Sequence, residues 1–403
     1  MRLPILAAIV LAAMATGADA ADSDTITIGM TTSQTGPLNV DSLGLQQGAN
    51  MWRDDVNAAG GIAVDGKHYR VRFVTYDDQS QGGRVQQLYT RLIVQDKAQF
   101  LFGPYSSGLT ATAAVISDQY GALMLTTGGA EPKTYELGNK YLYQVITPAG
   151  GYLKGAVEAL QVHNPHAKLA LVYSDDPFSK AVMAATTEQA RKAGLEIVMN
   201  ESYAPTTTDF GPVINKIISS GADAFMGGGH YSDGATLARQ LYEQKANLKW
   251  ISMLVAPGDD KFAALGPAAL GVTTGSQWEP SESYKPEFGP TGAEFVERYR
   301  AKFKADPDYH AASGYAGGLI LQHAIERAGS IDQAKVAAAL DATDVTTYFG
   351  RVKFATDPAH HGLQVAHEMV LAQWLMNNGK LTRHVVWPKD AAHTTLLYPI
   401  PAR

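Results

Sequence analysis

The sequence predicts an α/β protein built as two doubly wound halves in tandem. Three observations predict it. The 403 residues exceed one ordinary core and suit two domains of under about 200 each. Short apolar runs alternate with segments of helical period. That alternation breaks off and restarts midway along the chain.

Residues 25–30 read as a strand. Residues 45–58 carry apolar side chains at helical spacing and stop at Gly60-Gly61, a helix-ending signal. Residues 69–76 alternate as a strand, 84–95 are helical, and 99–102 form a short strand ended by Gly103-Pro104. A helix over 109–119 and a strand over 122–126 follow. The order β-α-β-α-β implies a parallel sheet with helices on both faces. The second half repeats that architecture, with no residue-level repeat. Strands are expected at 169–173, 196–200, 224–226 and 249–253, with helices at 179–193, 210–219 and 234–244. Gly194 and Gly221 end the first two of these helices. Past Trp278, a proline-rich, aromatic connection over 279–290 leads into helices at 293–303, 311–328 and 333–341. The tail over 350–387 is strand-rich, and Asn377-Asn378-Gly379 reads as a hairpin turn.

Composition removes several classes of function. Lys and Arg number 33 against 39 Asp and Glu, a net charge of −6, which argues against a phosphate-reading nucleic-acid binder. The absence of cysteine excludes disulfides, thiolate nucleophiles, iron–sulfur clusters and cysteine zinc sites. Residues 1–20 read as a cleaved secretory signal: Arg2, an apolar run over 3–14, then Ala18-Asp19-Ala20 as a small-x-small cleavage site. An exported chain works where ATP is absent, which argues against a kinase or a nicotinamide enzyme. No later stretch holds 18 apolar residues in a row, so the mature chain is expected in solution, in the periplasm.

In open parallel sheets, ligands bind beyond the carboxyl ends of the strands. The loops expected there are alike. They are Gly103-Pro104-Tyr105-Ser106-Ser107-Gly108, Thr127-Gly128-Gly129-Ala130-Glu131-Pro132, Ser174-Asp175-Asp176-Pro177-Phe178, Gly227-Gly228-Gly229-His230-Tyr231-Ser232-Asp233 and Gly275-Ser276-Gln277-Trp278. Glycines let backbone N–H groups approach a ligand closely, and two of the loops open helices whose free N–H groups suit a carboxylate. Tyr105, Phe178, Tyr231 and Trp278 supply flat apolar walls. Glycine-rich turns of this kind occur in any such fold. The weight rests on five of them falling together at strand ends.

The motifs carry a resemblance. Ile28-Gly29-Met30 with Ser33-Gln34-Thr35-Gly36-Pro37 resembles the opening of the leucine/isoleucine/valine-binding protein family, the solute receptors of branched-chain amino acid type ABC importers. So do Asn57-Ala58-Ala59-Gly60-Gly61-Ile62, Tyr76-Asp77-Asp78, Phe102-Gly103-Pro104, Thr207-Thr208-Asp209-Phe210 and Thr346-Thr347-Tyr348-Phe349-Gly350, in order from about residue 24 to 388. The resemblance implies a type I periplasmic binding protein, two doubly wound α/β lobes joined by a three-strand hinge that closes over a ligand. It implies a first lobe of 22–147 plus 279–344 and a second of 148–278 plus 345–403. It also implies membrane permease subunits as partners and no cofactor; a monomer is expected.

Family ligand roles map onto this chain as follows. The carboxylate-holding serine matches Ser107, beside Ser106 and Tyr105. The next loop's contacts fall at Gly128, Gly129 and Ala130, without the family's threonine hydroxyl. The second lobe's aromatic lid matches Phe178, and its tyrosine falls at His230 or Tyr231. Trp278 is expected to stack on the ligand. The family's ammonium-binding acid should follow the strand over 249–253, where this chain reads Met253-Leu254-Val255-Ala256 with no carboxylate until Asp259. A buried ammonium without a partner is costly. The expected ligand therefore lacks a free α-amine: a small carboxylate, with aromatic acids among the candidates, or an amide. Asp176, Asp233 and Asp259 are the alternatives that would restore an amino acid ligand.

Three rival readings compete with a receptor. A hydrolase using His230 as base lacks a G-x-S-x-G elbow. A metal site at Asp357, His360, His361 and His367 competes with a solvated turn broken by Gly362. A ligand sensor of the same fold remains the third.

Overall fold

The computed structural model describes residues 24–282 and 284–402. The expected secretory signal lies outside the described residues. In the first half come β1 (Thr25–Thr32), α1 (Asn39–Ala58), β2 (Ile62–Val64), β3 (Lys67–Asp77), α2 (Gly82–Val94), β4 (Phe100–Phe102), α3 (Ser107–Gln119), β5 (Met124–Thr126) and β6 (Leu142–Gln144). They form a six-stranded sheet of order β2-β3-β1-β4-β5-β6, parallel except for the β2–β3 hairpin. The hairpin turns on Asp65 and Gly66, both at positive φ.

The chain then crosses to a second sheet. Its elements are α4 (Lys154–His163), β7 (Lys168–Ser174), α5 (Pro177–Lys192), β8 (Glu196–Tyr203), α6 (Gly211–Ser219), β9 (Ala224–Gly228), α7 (Tyr231–Glu243), β10 (Trp250–Met253) and β11 (Thr273–Ser276). It returns to the first half through α8 (Gly292–Phe303), α9 (Tyr309–Ala328) and α10 (Gln333–Asp341). A small ribbon of β12 (Asp344–Thr347) and β13 (Gly350–Lys353) follows, and then β14 (Val370–Asn377) and β15 (Lys380–Trp387). These last two extend the second sheet as an antiparallel edge, giving the order β15-β14-β11-β10-β9-β7-β8. The expected hairpin turn joins them, with Asn378 and Gly379 at positive φ.

Local chemistry sets the helix starts that face the cleft. Asp176 caps α5 by accepting from the Ser179 N–H, and Pro177 fits the first turn. Asp308 caps α9 through the Ala311 N–H. At α7, the Asp233 carboxylate accepts from the His230 N–H.

Helices α1 and α9 pack backbone to backbone. A Cβ on Gly314 would stand 2.2 Å from the Leu45 carbonyl oxygen, and one on Gly48 would stand 1.9 Å from that of Ala311. Only glycine permits this approach. It holds the start of α9 beside the start of α1.

Three crossings join the two sheets, after β6, after β11 and between β13 and β14. Thr147 ties them together. Gln277 on the second crossing accepts from the Thr147 N–H (2.9 Å) and donates to its carbonyl (3.2 Å). On the third, the His367 ring lies 2.7 Å from the Thr147 hydroxyl. Residues of the stretch 344–364 touch the first half. Phe354 packs edge-on against Tyr143, and Gln364 donates to the Val145 carbonyl.

Candidate ligand site

A cavity enclosing about 260 Å³ of space between atoms lies beyond the carboxyl ends of the strands of both sheets. The first sheet contributes Tyr105 and Ser106 after β4, and Thr127, Gly128 and Ala130 after β5. The second contributes Phe178 at the start of α5, His230 after β9 and Val255 after β10. Ile146 and Tyr152 enter from the first crossing, and Tyr309 and His310 from the start of α9.

Six of the ten expected residues meet here: Tyr105, Ser106, Gly128, Ala130, Phe178 and His230. The other four are placed elsewhere. The Ser107 hydroxyl is buried and accepts from the Ala130 and Glu131 N–H groups at 3.0 and 3.2 Å, so it splices two loops together. Gly129 packs against Thr110, where a Cβ would clash. The Tyr231 backbone N–H reaches Asp41, and its side chain does not line the cavity. Trp278 is fully buried in the core. Its ring packs edge-on against Phe295 and Tyr348 and donates to the Tyr348 carbonyl at 3.1 Å, so it has no face to offer a ligand. Its place at a crossing made it look like a cleft residue.

Sequence reasoning missed Tyr152, Tyr309 and His310. A helix expected from 311 puts Tyr309-His310 in a connection, away from the strand ends where ligand loops are expected. The signal present was Asp308, a helix-capping residue immediately before them.

Electrostatics organise the walls. The Tyr105 hydroxyl lies 2.8 Å from His230 Nδ1, a hydrogen bond between the two halves. His230 Nε2 lies 3.7 Å from the Asp176 carboxylate. Burial opposes charge on His230, but the nearby Asp176 carboxylate, with Asp41 and Asp233, outweighs it and holds the ring at about 9. A charged His230 donates from both nitrogens, so the Tyr105 oxygen accepts and its own proton is free for a ligand. Burial also works against charge on Asp176; the nearby His230 and bonds from Ser179 prevail and hold it well below the usual carboxylate range.

His310 repeats the construction. Its Nδ1 lies 3.7 Å from Asp308, and its ring packs edge-on against Tyr105 with centroids 5.1 Å apart. Burial disfavours its charge, while Asp308, Asp41 and Asp259 outweigh that and raise its pKa. Asp41, on α1, is pushed up to about 6 by burial, against the pull of His310 and His230.

Val255 completes the second half's wall. Its φ of 42° and ψ of −61°, with the Ala256 N–H bonded to the Leu254 carbonyl, make a γ-turn of the rare, strained hand. The wall after β10 is therefore aliphatic.

The histidines weighed as metal ligands are scattered. His360 pairs with Asp357, His361 with Asp341, and His367 is buried against Thr147 and Phe349. Among the described residues no group of three or more His, Cys, Asp or Glu is arranged to hold a metal ion. No helix among them is long and apolar enough to cross a membrane.

Comparison with known proteins agrees with this architecture. A family profile described as "Periplasmic binding protein" matches residues 25–380, and the chain belongs to that family. It is similar to an amino acid binding protein of Pseudomonas aeruginosa, 28% identical over 76% of this chain and 79% of that one. It is also similar to Leu/Ile/Val-binding protein homolog 7 of Brucella melitensis, 25% identical over 98% of this chain and 99% of that one. The fold matches that of a solute-binding protein of an ABC transporter from Rhodopseudomonas palustris BisB5, solved with 3,4-dihydroxybenzoic acid. The TM-score is 0.78 at 19% identity, covering 94% of this chain and 99% of that chain. The resemblance to the leucine/isoleucine/valine-binding family and the type I fold both hold.

Proposed function

We propose that this chain is the extracytoplasmic receptor of an ABC importer, that it binds a small carboxylate lacking a free α-amine, and that permease subunits are its partners. The observation that carries the ligand class is the wall after β10, where Val255 faces the cavity and no Asp or Glu is among the lining residues. Burying an ammonium against an aliphatic wall costs several kcal/mol. Aromatic side chains from both halves, Tyr105, Tyr152, Phe178 and Tyr309, suit a flat apolar body. The Rhodopseudomonas protein's aromatic acid is of this class; the Pseudomonas relative, an amino acid binding protein, represents the alternative.

The receptor works by closure. Ligand contacts both halves only when they meet, so binding shifts the population toward the closed form. We assign the first lobe to about 24–146 plus 279–366 and the second to about 148–276 plus 368–402, with Thr147, Gln277 and His367 at the crossings. The chain performs binding without chemistry on the solute, and its site of action is the periplasm.

Isothermal titration against leucine and benzoate tests the ligand class. Benzoate is expected to bind and leucine to bind at least about tenfold more weakly, a difference of about 1.4 kcal/mol. Tight leucine binding with no benzoate binding overturns the proposal.

A further inference from the structure

Resting on that reading of the ligand, we propose that His310 is the residue that reads the ligand's negative charge, a specificity determinant supplied by α9 rather than by a loop at a strand end. Four observations carry it. His310 lines the cavity opposite the second half's wall. Asp308 stands beside its Nδ1, and Asp308 is itself fixed by capping α9. The His310 ring makes no hydrogen bond among the described residues, whereas His230 already spends Nδ1 on Tyr105. Finally, the glycine-tight packing of α1 on α9 leaves the start of α9 little room to move.

Two imidazoles thus flank one tyrosine, and they differ in what they have left to give. His230 is committed between Tyr105 and Asp176 and closes the cleft. His310 lines the cavity and its ring makes no hydrogen bond among the described residues. A carboxylate placed against Tyr105 would take the free Tyr105 proton and a charge-assisted bond from His310, of the stronger class of hydrogen bond. The groups facing His310 are Asp308 on its own helix, Asp41 from α1 and Asp259 from the loop after β10. These hold the ring charged and also set a cost for an approaching anion, so loss of the imidazolium should leave only repulsion.

The test compares benzoate with benzamide, which has the same body without the charge. His310→Gln is expected to lower benzoate affinity by roughly tenfold or more while changing benzamide affinity by less than about threefold. Asp308→Asn keeps the helix cap and removes the ring's partner. In that variant the decline of benzoate affinity with rising pH is expected to begin at lower pH than in the unaltered protein. If the protein binds benzoate and His310→Gln weakens both ligands equally or neither, or if the pH profile of Asp308→Asn does not move, this inference falls while the proposed function stands. If the unaltered protein binds leucine and no amine-free carboxylate, the ligand reading falls and takes this one with it.

Discussion

Adjacent serines show how much a single residue's position decides. Ser106 lines the cavity, and its hydroxyl makes no hydrogen bond among the described residues. Ser107, one residue on, spends its hydroxyl on two N–H groups of the next loop. Motif matching alone placed the ligand role on Ser107, because the match cannot tell which of two neighbouring hydroxyls turns inward. The variants should therefore separate. Ser106→Ala is expected to weaken ligand binding about three- to tenfold with little change in stability. Ser107→Ala is expected to destabilise the fold by about 1–3 kcal/mol, since it strands one buried and one partly buried donor. Titration calorimetry and urea unfolding on both variants check this. The reverse assignment of effects would return the ligand role to Ser107.

Among elements, the α1–α9 contact is the one on which the site depends most. Asp41 and His310 come from sequence positions far apart and meet because Gly48 and Gly314 let two backbones touch. Gly314→Ala would drive a methyl group into the Leu45 carbonyl, with no flexible side chain to yield. The expected cost is about 1–3 kcal/mol of stability, together with weaker ligand binding as the start of α9 moves away from Tyr105. Thermal unfolding and titration of the variant measure both; a variant unchanged in both would show that the helices can part freely. This contact was not legible in the sequence. Long amphipathic helices and parallel strands announce themselves by period, and the alternation read along the chain matches most of the elements found, although the helix α4 was not among those expected. Three-residue strands such as β6 carry no period to read. The β2–β3 hairpin hid inside what looked like one connection and one strand. Which helix touches which is a tertiary fact, and glycines inside a helix signal it only after the partner is known.

At the scale of the whole molecule, the three crossings behave as one knot around Thr147. His367 is buried there, its Nε2–H donating to the Phe349 carbonyl at 2.8 Å, and burial holds its pKa down to about 4 from an ordinary 6.5. The sign follows directly. Between pH 6.5 and 4 the unfolded chain takes up a proton at this ring that the folded chain refuses. Its contribution to stability is thus full above pH 6.5 and is lost as pH falls through 4. Acidification from pH 7.5 to 4.5 should lower the unfolding free energy from urea titration more in the unaltered protein than in His367→Gln, by on the order of 1–3 kcal/mol. Equal losses would remove His367 from the account. The doubly wound halves were legible from order alone; the knot was not, because its three members lie in stretches without helical or strand period.

Tyr105 meets His230, Asp41 meets the Tyr231 N–H, and the Ser232 hydroxyl meets the Pro37 carbonyl, each pair spanning the gap between the halves. These are handshakes the jaws exchange on their own account. A solute arriving in the cleft does not have to supply all the adhesion that keeps the mouth shut; it tips a balance the polypeptide has already loaded. A very small guest can then hold shut a clamp many times its own size, and severing any one handshake should make the receptor hungrier for solute before it makes it fragile.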